Sequence, residues 1–254
     1  MELPLFPLNT VLCPGIAIPL HIFEERYRAL IRDCLDASAP FGIVRLREGV
    51  EVGPGAVALA AVGTIAEIRD VDRYDDGRFD LLVVGTRRFE IDTVRTSSNS
   101  YLVADVRVLD EAIGDEAVAR RLAQAATRRF VTYLELLQPR AGETADEIDV
   151  RVEVETESGP EEEDPGEGTV VDEDPSTEPA ARRVVIPDDP TVLSHLLAGI
   201  LQVELPRRQA LLEEPTTEAR LRSLLRLIER EVLLLRHRLR AFNPDPRLVG
   251  HRRS

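Results

Sequence analysis

The sequence contains no lysine, and all 32 of its basic residues are arginine. A Walker A phosphate loop, a Ser–Lys dyad, a Schiff-base lysine and a pyridoxal phosphate linkage all need a primary amine, so each is excluded. Cysteine is nearly as scarce, with only Cys13 and Cys34. Two thiols make no disulfide framework, and with four histidines in the whole chain they suggest no zinc site. Both are expected as reduced core thiols. No run of eighteen apolar residues exists to cross a membrane, and the opening MELPLFPL lacks the basic start and apolar centre of a secretory signal. The expectation is a cytoplasmic protein with no membrane partner, no metal and no cofactor.

Acidic charge is abundant but unevenly placed. The net charge is −14, yet sixteen acidic residues and one arginine, Arg151, fall between Glu143 and Glu178. Removing that stretch's −15 leaves the rest of the chain at +1. A near-neutral body with 4% aromatic residues argues against nucleic acid, which calls for a basic surface and stacking rings. With 254 residues, 43% of them hydrophobic, the chain is long enough to bury a substantial core.

From Leu3 to about Leu109 the pattern is short apolar runs broken by Pro, Gly and Asp, as in a small twisted sheet or barrel. The clearest strands are Val57 to Ile68 and Phe79 to Val94, joined through Asp76-Gly77, a pair suited to the positive φ of a tight turn. Leu81 to Val84 is apolar on both faces, which predicts cover on both sides. VGT occurs twice, at 62–64 and 84–86, and each glycine predicts a bulge or bend.

One helix interrupts the strands. Tyr27, Leu30, Ile31, Cys34 and Leu35 form a single apolar stripe, with Glu25, Arg28, Arg32 and Asp36 opposite. Glu24 and Glu25 suit the positive end of that helix, with Arg28 or Arg32 as their expected partners. Beyond Glu111 the period turns helical, and Val118 to Leu137 reads as a long amphipathic helix ending before Pro139. The acidic segment that follows has few large apolar groups to offset the entropy of ordering, and reads as a disordered loop over about 140–183. Asp189 and Pro190 then cap a helix, a shorter one starts at Pro206, and the last begins after Thr216. That final helix carries Leu221, Leu225, Ile228, Val232, Leu235 and Leu239 as a heptad-like seam, expected to pack within the chain's own bundle.

The opening LPLFPLNTVLCPGIAIPLHIFEERYRALI resembles the start of the Lon N-terminal substrate-binding domain family. VGTIAEI and DLLVVGTRRFEI resemble that family's next two signatures, and DPTVLSHLLAGILQVELPRRQALLEEPTTEARLRSLLRLIERE is similar to its helical end. The resemblance spans nearly all of the chain except the acidic segment. It implies an α+β fold: a PUA-like twisted β-barrel subdomain over 1–110, with one helix at about 24–36, then a four-helix bundle-like subdomain over 111–242. It further implies binding of unfolded or client polypeptide without chemistry, as an adaptor for a separate protease or chaperone. A full Lon protease carries an ATPase and a Ser–Lys protease module after this region. This sequence stops at Ser254 without a lysine, so neither activity is expected of it.

Reactive readings of individual residues are poorly supported. His21 beside Glu24 and Glu25 has the composition of an acid/base site, but nothing in the sequence fixes the carboxylates near the ring, and the expected role of His21, Phe23 and Tyr27 is to join helix to barrel, with the imidazole bonded to backbone. Ser194 and His195 are adjacent on a helix and point too far apart for a nucleophile–base contact. Peptide capture needs exposed apolar surface or an open strand edge. The candidates for it are Phe23, Glu25, Arg26 and Arg28, where charged and aromatic groups alternate beside the first helix. RNA binding through the barrel is the alternative, and an uncharacterised hydrolase the second.

Overall fold

The computed structural model describes residues 1–47, 58–98, 100–137, 150–153 and 182–242. In chain order its elements are β1 (Glu2–Leu8), β2 (Ala17–Ile22), α1 (Glu25–Ala37), β3 (Phe41–Arg45), β4 (Val62–Arg73), β5 (Phe79–Thr96) and β6 (Leu102–Val108), then α2 (Glu116–Leu137), β7 (Val150–Glu153), β8 (Arg182–Val185), α3 (Pro190–Ile200), α4 (Leu205–Glu213) and α5 (Thr217–Phe242). Among the described residues, six strands with one helix thus precede four helices, with the short β7 and β8 between the first two of these, an α+β arrangement.

The larger sheet runs β2-β5-β4-β3-β1-β6, and β5 also pairs with β6. That second pairing closes five strands on themselves and leaves β2 outside the ring, bonded among the described residues only to the first half of β5. β5 can serve both neighbours because it is eighteen residues long: Phe79 to Val84 pairs with β2, and Phe89 to Thr96 with β6. Register shifts between Thr64 and Ala66, and between Ile91 and Thr93, supply the bends that closure requires.

The two VGT glycines sit where backbones touch. A Cβ on Gly63 would lie 2.5 Å from the Phe89 ring and 2.6 Å from the Ile43 carbonyl oxygen, and one on Gly85 would lie 2.6 Å from the carbonyl oxygen of Cys13. Asp76-Gly77 forms the expected turn, with Gly77 at φ +83. The strand before it differs from the sequence pattern, for Val57 lies outside the described residues and β4 runs from Val62 to Arg73, past Ile68 toward the turn. Cover on both faces of Leu81 to Val84 also fails: Leu81 and Val83 are buried, whereas Leu82 is 42% exposed. The hairpin projects past the core, so its outer face meets water.

Under α1 lies a core of Phe6, Ile22, Leu30, Ile31, Cys34, Phe41, Phe79, Leu81 and Val83. A second core lies among the later helices and takes in Cys13 from the strand-rich part, and in it the small residues Ala119, Ala123 and Ala126 of α2 allow α5 to approach closely. α3 starts as its sequence demands: Asp189 accepts bonds from the Thr191 and Val192 amides, both 2.8 Å, with Pro190 at its first position. In α5, Leu221, Leu224, Ile228 and Val232 are buried, while Leu225 and Leu235 are half-buried and Leu239 lies outside the residues whose side chains are described. A 3.6-residue period, and neighbours on more than one side, move the seam off a strict heptad. The expected acidic loop falls mostly outside the described residues. Within and beside it, β7 and β8 pair in parallel.

Candidate functional site

At the end of the sheet, the N-terminus of α1 meets strand β2 and the β4–β5 turn. The exposed outer face of this corner carries His21 opposite Asp80, a directly paired position in the β2–β5 ladder. His21 Nδ1 lies 2.5 Å from Asp80 Oδ1, and the Tyr74 hydroxyl donates to Asp80 Oδ2 at 2.6 Å. Those two bonds, first from Tyr74 and then from His21, pull the Asp80 carboxyl below its ordinary range, while Tyr74 is pushed up by the same contact.

This arrangement corrects the expected role of His21. Its ring is about half exposed and bonds to a side chain rather than to backbone. Phe23, expected in the seam between helix and barrel, is instead 62% exposed and stacks on the His21 ring at 6.1 Å. Tyr27 alone makes the expected joint, packing on Phe6 at 4.4 Å. Isoleucine 22 explains the inversion. It is buried at the strand's end, so by alternation His21 and Phe23 must both face outward.

The expected helix pairs also rearrange. Glu24, the residue preceding α1, is held by Arg26 at 2.8 Å, and Arg26 lies 4.5 Å over the Tyr27 ring. Arg28 reaches across to donate to the Asp76 carbonyl oxygen at 2.9 Å, pinning α1 to the β4–β5 turn. Between them lies a cleft of about 560 Å³ lined by Glu25, Arg28, Arg32, Arg73, Tyr74 and Asp76, among others. The four residues named for peptide contact therefore surround one corner, with Glu25 and Arg28 in the cleft and Phe23 and Arg26 exposed beside it. His21, Tyr74, Asp80 and Arg73 join them from distant sequence, which no local pattern announced.

Chemically the corner is ill-equipped for catalysis. Asp80 orients the imidazole, but the hydroxyl it also binds, Tyr74, is the acid's donor and not a nucleophile aimed at the ring. Glu24 is turned away to Arg26. Both cysteines are buried, and burial raises Cys13 to about 11 and Cys34 to about 12, far from the thiolate a nucleophile needs. Among the described residues no group of His, Cys, Asp and Glu is placed to hold a metal ion.

A second polar cluster lies between the two halves. Arg88 of β5 is 1% exposed and Arg220 of α5 is fully buried, and both reach Glu111, which lies between β6 and α2. Arg88 donates through Nε to Glu111 Oε1 at 2.6 Å and through Nη1 to the carbonyl oxygens of Leu212 and Glu214 at 2.7 and 2.8 Å. Arg220 donates to Ser194 Oγ at 2.9 Å. The guanidiniums thereby satisfy carbonyls left open at the end of α4. His195 Nε2 is 3.2 Å from Glu111 Oε2 without being aligned for a hydrogen bond. Burial works to raise the Glu111 carboxyl, and the surrounding His195, Arg88 and Arg220 overcome it, holding it at about 2. Burial lowers the His195 imidazole, and Arg220 and Arg88 add to this against the opposing pull of the Glu111 carboxylate. Ser194 thus serves a clasp between the halves as an acceptor for Arg220, with His195 buried beside it, and the sequence offered no sign of it because arginine is everywhere.

Comparison with known proteins follows the same outline. The ATP-dependent protease La (LON) substrate-binding domain model matches residues 2–230. Lon protease 2 of Myxococcus xanthus is 25% identical over 240 residues, 93% of this chain and 25% of that protein, and the Lon protease of Flavobacterium johnsoniae is 32% identical over 117 residues, 46% of this chain and 14% of that protein. The chain thus spans about a quarter or less of the length of these curated relatives. Among solved structures, a Lon N-terminal domain protein from Xanthomonas campestris covers 89% of this chain and 97% of its own, with 27% identity and a TM-score of 0.54. The N-terminal domain of a Mycobacterium avium complex Lon protease shares the fold, at 18% identity and a TM-score of 0.59 over 90% of this chain and 98% of its own. The matched region is the substrate-binding part of those proteins and not the protease part, and the chain belongs to the ATP-dependent protease La (LON) substrate-binding domain family.

Proposed function

We propose that this chain is a non-catalytic receptor for unfolded or client polypeptide, acting in the cytoplasm and passing its cargo to a separate protease or chaperone. The observation that carries the reading is Phe23, a large ring 62% exposed beside an arginine-lined cleft, in a chain whose family binds substrate. An unfolded chain offers apolar side chains and unpaired backbone, and an exposed ring flanked by Arg26 and Arg28 can take the first without demanding a particular sequence. Phe23, Glu25, Arg26 and Arg28 are the contact residues in this reading.

The test is retention of a permanently unfolded protein, such as carboxymethylated casein, measured against the same chain carrying Phe23→Ser. Binding should weaken about tenfold or more, the loss typical of a central aromatic anchor. Homopolymer RNA retained with a steep dependence on salt, and no retention of casein, would overturn it.

A further inference from the structure

The client's backbone also has a place to go. β2 ends the sheet, with β5 on one side and no strand on the other among the described residues. The Gly85 amide donates to the Ile16 carbonyl, and the register then runs without a shift from Ala17 opposite Val84 to Ile22 opposite Phe79. In an antiparallel pair the bonding direction alternates. Ile18, Leu20 and Ile22 therefore turn their backbone groups to β5, and Ala17, Pro19 and His21 turn theirs away from it.

The outer edge so formed has carbonyls at Ala17, Pro19 and His21 but amides only at Ala17 and His21, because proline carries none. All three of these residues are exposed. Ile18 and Leu20, whose side chains point to the core, remain only half-buried, whereas Ile22 is 1% exposed. An edge whose inward side chains are incompletely covered is short of one strand's worth of apolar neighbours.

We infer that an extended segment of client polypeptide adds to β2 as a further strand, its alternate apolar side chains covering Ile18 and Leu20 and its far end reaching Phe23. This rests on the polypeptide-binding reading above and assigns it a backbone site. Pro19 decides between occupants. A foreign strand bonds the Pro19 carbonyl and leaves one of its own carbonyls unmet, whereas a second copy paired through the middle of β2 sets Pro19 against Pro19 and loses two bonds at the centre.

The experiment uses the full chain and fluorescent eight-residue peptides of alternating valine and threonine, one unmodified and two N-methylated at alternate positions along one edge or the other. N-methylation removes donors on a single edge while keeping the side chains. In the matched register one methylated peptide should bind at least tenfold more weakly and the other should bind like the parent. In the protein, Pro19→Ala restores an outward amide and should tighten binding about two- to tenfold, the worth of one hydrogen bond. Ala17→Pro removes one and should weaken it by a similar factor, with the β5 ladder untouched. Equal binding of all three peptides, with no effect of Pro19→Ala, would overturn the strand site while casein retention that depends on Phe23 left the receptor reading standing. Loss of casein retention as well would remove both. Concentration-dependent dimerisation abolished by Ala17→Pro would assign the edge to a second copy and overturn the proposal.

Discussion

Gly63 holds the tightest point of the closed sheet, where the Phe89 ring on one side and the Ile43 carbonyl on the other leave no space for a methyl group. The ring can shift by a few tenths of an ångström, but the carbonyl belongs to a paired strand and cannot. Gly63→Ala is expected to lower stability by about 1–3 kcal/mol, as overpacking does, read as a lower urea midpoint at unchanged slope. Asp189 is a milder case at the same scale. Its carboxylate satisfies two amides at the start of α3, so Asp189→Ala should cost about 1 kcal/mol, or roughly 2–4 °C in melting temperature for a chain of this size. Phe23 is the contrast. It covers no core, so Phe23→Ser should leave the melting temperature within about 1 °C while weakening client retention, a combination that separates binding from folding.

Among the elements, the clasp between β5, α3, α4 and α5 sets two guanidiniums on one carboxylate. That imbalance ranks the substitutions. Glu111→Gln leaves both buried arginines without an anion and should cost about 3–5 kcal/mol. Arg220→Met leaves the Arg88–Glu111 pair balanced and should cost distinctly less. Denaturant titrations of the two variants decide the matter, and equal losses would mean that the carbonyl contacts outweigh the charge. Much at this scale could be read from the chain. The α1 stripe, the Asp189 cap, the Asp76-Gly77 turn and the four later helices all follow from local spacing and cap chemistry. Arg88 could not, because it differs from the other arginines only in what surrounds it.

For the whole molecule, pH acts through the same clasp. His195 is lowered from its ordinary value of 6.5, so below that value the unfolded chain takes up a proton that the folded one refuses. Glu111 is lowered from 4.5 to about 2, so the stability it contributes is present above 4.5 and is lost as pH falls from there toward 2. Both therefore weaken the fold on the acid side. The melting temperature should decline from about pH 6.5 downward and again below about pH 4.5, and His195→Gln should flatten the first decline while sparing the second.

Composition and spacing by themselves determined the class of protein: no amine chemistry, a strand-rich first part, a helical second part, and an acidic stretch set apart from a near-neutral body. These depend on short-range rules, the period of two or 3.6 and the chemistry of caps and turns, which a linear string records directly. Tertiary structure alone decided which face of β2 meets water, how Tyr74, Asp80 and His21 converge, and that one glutamate joins arginines 132 residues apart in the chain. Each of these is a distance between residues remote in sequence, fixed by the closing of the sheet and the docking of the helices, and no local pattern carries that information.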